Sequence, residues 1–359
     1  MFIFAIIGKL WKVLSAGFWT VIGLAIALNF LFGTAFYYAE RHVQEGLTWI
    51  DSLWWSMVTM TTVGYGDFYA QTFVGRFLIS YPCMVIGIGI IGYLVGLVAN
   101  IMIEWASKKR KGEMGVSYEN HIIICNFPGV EKVRTIVNEF RVTPQYKDTR
   151  MVLVTEMLEE LPDGLRKDRI DFVKGCPTDE DVLFRANILK CAGVIVLTED
   201  PTNIRSDDRT FAIGAIIESI EEERKTDIKT ITELIGRRGM RNMKRMTVDG
   251  MVASEGMTGC LLVQEFMYPG VNSLFNQIIS NTVGSQIYIH DTKLKDISIV
   301  ELQTRVLRHE ANIQVIGLMR GEKQILNPDK QMTIQAGDKL IVLAENQHDL
   351  GAIEQDILN

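Results

Sequence analysis

Residues 59–67 read TMTTVGYGD: hydroxyls at Thr59 and Thr62, glycines flanking a tyrosine, and one acid, Asp67, at the end. These types form no nucleophile–base pair and no metal-ligand cluster, so the chemistry they offer lies in the backbone. Gly64 and Gly66 can take positive φ, which residues with a Cβ resist, so alternate peptides can turn their carbonyls toward a common axis. Four copies around that axis make rings of oxygens able to replace the water shell of a cation.

The elements that must hold such a loop are membrane elements. Ala16 to Ala39 carries no charge over more than the roughly 20 residues needed to cross a bilayer core of about 30 Å. A second uncharged run, Phe77 to Ile103, is followed by Glu104 and then Lys108, Lys109, Arg110 and Lys111. With Lys9 and Lys12 ahead of the first run, the positive-inside rule puts both termini in the cytoplasm of a multi-pass protein in the cell membrane. MFIFAII at the start is expected to lie in the membrane interface, the alternative being a signal peptide. Between the spans, Thr48 to Thr61 is apolar and aromatic but too short to cross, as a re-entrant helix would be. Non-helical backbone at that depth is tolerated where it lines a watery cavity.

The stretch Thr59-x-x-Thr62-Val63-Gly64-Tyr65-Gly66-Asp67, set between two spans, resembles the potassium-channel signature over its full length, and the spans resemble those of two-span potassium channels. The resemblance implies a homotetramer in membrane lipid with K⁺ coordinated by the carbonyls of Thr62, Val63, Gly64 and Tyr65 and the Thr62 hydroxyl. It also implies that Trp54 and Trp55 pack around Tyr65 and, with Thr59, support the filter. Where some relatives carry a pore-helix carboxylate, this chain has Val58. In the second span, Gly87, Gly89, Gly92 and Gly96 ease bending or close packing. By resemblance Gly87 or Gly89 is the gating hinge, and Pro82 adds a kink one turn earlier. No span repeats arginine, so opening must be driven from elsewhere.

From about Tyr118 the text changes to short apolar strands alternating with polar helices. Strands are expected at 121–125, 151–155, 170–173, 193–198 and 228–233, which reads as a parallel Rossmann-like sheet. KGCPTDEDVLFRANILKCAGVIVLTED resembles the RCK domains that regulate potassium conductance, and the strand-rich segment from Val283 to Glu345 resembles the C-terminal RCK lobe. The expected organisation is a pore domain at 1–107, a linker at 108–117, a Rossmann-like RCK lobe at 118–255, helices at 256–282 that pair subunits, and a smaller α+β lobe at 283–359. The pairing helices present Leu261, Leu262, Val263, Phe266, Leu274, Phe275, Ile278 and Ile279, with burial inside one subunit as the alternative.

The dinucleotide fingerprint is eroded. After the first strand stand Asn126 and Gly129 without a G-x-G-x-x-G pattern, and Glu131 opposes phosphate. Glu156 ends the second strand, where a ribose-binding acid belongs; a helix-capping role explains it as well. By resemblance Asn126, Gly129, Glu156, Gly175 and Thr178 line the sheet edge, Cys176 replaces an acid common in relatives, and Lys174 is placed to offset phosphate charge. The favoured ligand is an adenine nucleotide or NAD. Ca²⁺ is the other family ligand, with Glu199, Asp200, Asp207, Asp208 and Glu233 as divalent candidates.

Other classes fit poorly. The net charge of −6 gives no global reason to expect nucleic acid, and five cysteines without a CxxC pair argue against a disulfide framework. His42, His121, His290, His309 and His348 are too dispersed to nominate a catalytic group, so an enzyme is not expected. A cytosolic subunit of a K⁺ transporter leaves the filter unexplained. One RCK domain per chain, against the eight used by gated relatives, raises the possibility of soluble copies started at Met114 that complete an octameric ring.

Overall fold

The computed structural model describes residues 16–236, 248–345 and 353–355. The chain divides into two units, 1–109 and 110–359. The expected interfacial segment MFIFAII, with Lys9 and Lys12, lies outside the described residues.

In the first unit, helix α1 spans Ala16–Glu40 and ends where its first charge appears. Helix α2, Trp49–Met60, is twelve residues long, or about 18 Å, well short of a bilayer core. Its start is fixed by a capping box: Thr48 Oγ1 accepts from the Asp51 amide at 3.2 Å and Asp51 Oδ2 accepts from the Thr48 amide at 3.0 Å. A π-helical turn, Val74–Ser80, then leads into helix α3, Tyr81–Arg110. The helical run therefore starts earlier than the uncharged run at Phe77, and the distortion ahead of Pro82 is a widened turn. The proline ring crowds the carbonyl four residues back, and the Tyr81 amide bonds instead to Arg76 O, five back. Phe32, Phe36, Leu47, Trp55, Met60, Ile79 and Cys83 form the core of this unit. Two helical runs, 17–40 and 74–110, are long and apolar enough to cross a membrane.

The second unit begins with a six-stranded parallel sheet in the order β3-β2-β1-β4-β5-β6. Its strands are β1 (Ile122–Cys125), β2 (Met151–Thr155), β3 (Ile170–Lys174), β4 (Gly193–Val196), β5 (Thr230–Leu234) and β6 (Gly250–Ala253). Every residue of β1 and β2 is buried, as continuous apolar strands covered on both faces should be. The covering helices are α4 (Val130–Val142), α5 (Asp163–Lys167), α6 (Glu180–Arg185) and α7 (Ser206–Arg224). The sixth strand departs from the five expected. GMVA has neither length nor a branched run to announce it, and it is recruited by pairing Ile231 to Leu234 with Gly250 to Ala253.

Helices α8 (Met257–Met267) and α9 (Val271–Ile279) follow, and neither buries a residue in the single chain. Phe266 is 90% exposed, so burial inside one subunit does not occur. The last lobe is an antiparallel sheet in the order β7-β10-β8-β9, with β7 (Gln286–Asp291), β8 (Ile313–Arg320), β9 (Lys323–Leu326) and β10 (Lys339–Ala344). Helix α10 (Ile299–Arg308), capped by Ser298, packs Leu302 and Val306 against it.

The segment expected as a linker at 108–117 is fastened at three points of the second unit. Arg110 O accepts from Leu161 N at 3.2 Å, Gly112 O from Lys174 N at 2.8 Å, and Val116 N donates to Arg185 O at 2.8 Å. Gly112 has φ +66°, and a Cβ there would stand 2.5 Å from the Lys174 amide nitrogen.

Candidate functional site

Past α2 the backbone alternates in hand. Thr62, Gly64 and Gly66 have φ of 62°, 58° and 78°, while Val63 and Tyr65 stay on the ordinary side. Alternation of this kind brings successive carbonyls to one side of the strand. The glycines were legible in the sequence; Thr62 was not, because a β-branched residue at positive φ is a strained position that residue type argues against. The amides of Val63 and Gly64 both donate to Val58 O, at 3.0 and 3.3 Å, and the Thr62 amide to Thr59 O at 3.0 Å, so the end of α2 seats the loop.

Trp54 behaves as expected. Its ring stacks on Tyr65 with centroids 5.9 Å apart, and its Nε1 donates to Asp67 Oδ2 at 2.7 Å. Trp55 does not: it is buried against α1, stacked on Phe36 at 3.7 Å. Neighbours on a helix point about 100° apart, so one tryptophan braces the loop and the other anchors α2.

Glu40 is a participant that sequence reading missed, because an acid at the end of an apolar run looks like a helix boundary. It is fully buried, and Oε1 accepts from the Thr72 amide at 3.0 Å and the Thr72 hydroxyl at 2.7 Å. Oε2 accepts from the Gln71 amide at 3.0 Å and Gln44 Nε2 at 3.2 Å. Gly75 is required beside it, since a Cβ there would fall on Glu40 Oε1. On α3, the helix runs unbroken through Gly87 and Gly89. A Cβ on Gly87 would lie 2.6 Å from Met60 Cα, whereas one on Gly89 would meet nothing.

In the second unit the sheet brings Asn126, Gly129, Glu156, Gly175 and Thr178 to the carboxyl ends of β1, β2 and β3. Asn126 is buried with φ 71°; its Nδ2 donates to Leu197 O at 2.8 Å and its Oδ1 has no hydrogen-bond partner. Gly129 stands at the N-terminus of α4 with open space above it. Thr178 Oγ1 lies 2.9 Å from Cys176 Sγ. Lys174, expected to offset phosphate, is paired with Glu159 at 2.6 Å, and Glu131 with Arg134 at 2.8 Å. Glu156 accepts from Arg209 Nη2 at 2.6 Å, and Arg209 Nη1 lies 3.4 Å from Glu199. Burial works against the Arg209 charge, and the carboxylates of Glu156 and Glu199 outweigh it, holding the guanidinium above its ordinary value. Sequence reading passed over Arg209, which looked like an ordinary charge on a polar helix.

The five divalent candidates are not brought together. Asp207 accepts from the amides of Ile235 at 2.8 Å and Gly236 at 3.1 Å, and Asp200 from the Thr202 amide at 2.9 Å and hydroxyl at 2.7 Å. Glu233 pairs with Lys132 and accepts from the Thr198 amide at 3.1 Å, Glu199 faces Arg209, and Asp208 is exposed on the first turn of α7. Among the described residues no group of three or more His, Cys, Asp or Glu is placed to hold a metal ion. Glu199, Asp200, Asp207 and Glu233 each face a donor of their own.

Two membrane-length helices, a re-entrant helix with a carbonyl-bearing loop and a Rossmann-type unit define a channel protein with a soluble regulatory domain. Three family models match: an ion channel over residues 24–104, the calcium-activated potassium channel slowpoke-like RCK domain over 117–232, and the TrkA-C domain over 286–352. The chain thus carries a channel domain, an RCK domain and a TrkA-C domain, and the relatives found are named as potassium channels. The calcium-gated potassium channel TvoK of Thermoplasma volcanium is 26% identical over 320 residues, covering 87% of each chain. A probable potassium channel protein 2 of Methanocaldococcus jannaschii is 23% identical over 324 residues, covering 85% of this chain and 88% of that one. Among solved structures, the GsuK channel bound to NAD is matched at 16% identity and TM-score 0.46, over 90% of this chain and 56% of that chain.

Proposed function

We propose that the chain is the subunit of a K⁺-selective channel, four copies of which line one pore with the carbonyls of Thr62 to Tyr65. The observation that carries this reading is the alternation of hand at Thr62, Gly64 and Gly66 between two membrane-length helices. Both termini lie in the cytoplasm, with the filter loop facing out. In purified protein reconstituted into liposomes, reversal potentials are expected to follow K⁺ and ignore Na⁺. Gly66→Ala is expected to abolish the current, because φ +78° strains any residue with a Cβ there even though nothing crowds it. Equal permeability to both ions would sink the reading.

Gating is assigned to a ligand at the carboxyl edge of the Rossmann sheet, where open α/β sheets bind. An adenine nucleotide or NAD is favoured, since Asn126, Gly129, Glu156, Gly175 and Thr178 meet at that edge while the acids do not converge on an ion. A Ca²⁺ reading rests on the name of the TvoK relative. Currents recorded while the cytoplasmic face is perfused with nucleotide, then with Ca²⁺, in wild type and Glu156→Ala, separate the two. A Ca²⁺ response untouched by the substitution would move the sensor elsewhere. The RCK units of several copies form a ring, and native mass analysis decides whether soluble copies started at Met114 join it.

A further inference from the structure

A nucleotide ribose docks on a Rossmann sheet by presenting its diol to a carboxylate at the end of β2. In this chain that acceptor, Glu156, is taken, and the partner comes from the far side of the crevice. Arg209 sits on α7, which follows β4, and its guanidinium reaches Glu156 after β2 at 2.6 Å, Cys176 after β3 at 3.4 Å and Glu199 after β4 at 3.4 Å. Because the strand order is β3-β2-β1-β4, with β1 between β4 and β2, the side chain crosses the switch point between β1 and β4. That crevice is where ligands of open α/β sheets lie.

The neighbouring bases do not compete for this place. Lys132 is paired with Glu233, Lys174 with Glu159, and Arg134 with Glu131 and Asp168. The Arg209 clamp is also incomplete, since its Nε and Glu199 Oε1 are both buried without a hydrogen-bond partner. Arg209 gives Glu156 a single hydrogen bond, whereas a ribose diol offers two, so a bound diol can take the guanidinium's place.

We infer that Arg209 is a specificity-determining residue of this cleft: a cation tethered to the chain that occupies Glu156 until a ligand's ribose diol displaces it. The inference rests on the nucleotide reading above and adds to it the residue against which the ligand competes. Occupancy is then an exchange of hydrogen-bond partners at one carboxylate, and ligands lacking the diol gain nothing from Glu156.

The test is calorimetric titration of ADP, and separately of 2′,3′-dideoxy-ADP, into the purified full-length channel. The variants are Arg209→Gln, Glu156→Gln and the double substitution. Arg209→Gln is expected to bind ADP about fivefold more tightly than wild type, the ratio set by losing a half-exposed ion pair of about 1 kcal/mol. Its affinity for the dideoxy compound should stay unmoved, and the gain for ADP should vanish in the Glu156→Gln background. Weaker binding of both ligands would make Arg209 a phosphate contact, and no change in either would make it structural; each result overturns the inference while leaving a nucleotide site standing. No heat with any variant would sink the nucleotide reading and this inference with it. Arg209→Lys, which keeps the charge on a single donor group, replaces Arg209→Gln if that protein does not fold, and a smaller gain for ADP alone is expected from it.

Discussion

Glu40 fastens the backbone at Gln71 and Thr72, and the strength of that contact is testable. Replacing it with alanine leaves the amides of Gln71 and Thr72 and the Thr72 hydroxyl without their shared charged acceptor, a loss of about 1–3 kcal/mol. Glu40→Ala is expected to lower the thermal dissociation temperature of the assembled channel and to cut K⁺ flux per molecule, with Glu40→Gln in between. Unchanged melting and flux would leave the carboxylate without a structural duty. At this scale the sequence was legible where chemistry is carried by residue type. Gly64 and Gly66 could be read directly, the Trp54–Tyr65 contact followed from the family resemblance, and the Trp54–Asp67 bond was not foreseen. Trp55, Glu40 and Arg209 could not be read directly, because their roles depend on a partner far along the chain: Phe36 for Trp55, Thr72 for Glu40, Glu156 for Arg209.

Periodicity announced most elements and failed where pairing makes the element. The apolar runs of β1, β2 and β4 and the uncharged spans carry their own signal, whereas β6 exists through its partner β5, and the π-helical turn through the proline that follows it. The segment 110–116 belongs to the same class, since polar linker text conceals a backbone tied to β3. Lys174, whose amide holds Gly112 O, immediately precedes Gly175, Cys176 and Thr178 of the proposed ligand cleft. Motion of that turn therefore reaches the segment leading to α3 through one hydrogen bond. Gly112→Ala is expected to keep nucleotide affinity while flattening the dependence of open probability on nucleotide, because its Cβ would strike the Lys174 amide and Phe172 ring. Parallel binding and patch-clamp titrations check this, and an unaltered gating curve would exclude the segment as the coupling element.

For the molecule as a whole, the open faces of α8 and α9 leave apolar surface of the second unit uncovered in a single chain. Leu262, Val263, Phe266, Leu274 and Ile279 are all exposed, and each is worth about 1.5–3 kcal/mol once covered. Phe266→Asp is expected to remove the cross-linked species formed by the soluble units of the full-length channel while leaving K⁺ selectivity intact, and an unchanged cross-linking pattern would mean that this face remains in water. The widened turn at Val74–Ser80 has a reach of its own across the first unit. A π turn accommodates one residue more than an α turn, so every side chain after it is rotated by about 100° from the direction an uninterrupted helix would give it. Gly87 meets the Met60 backbone in that rotated phase, and the same residues wound as an uninterrupted α-helix would bring a branched neighbour, Ile86 or Ile88, round to a place where not even a Cβ fits. The seven residues of the turn thus act as a vernier that sets which stripe of α3 meets the end of α2.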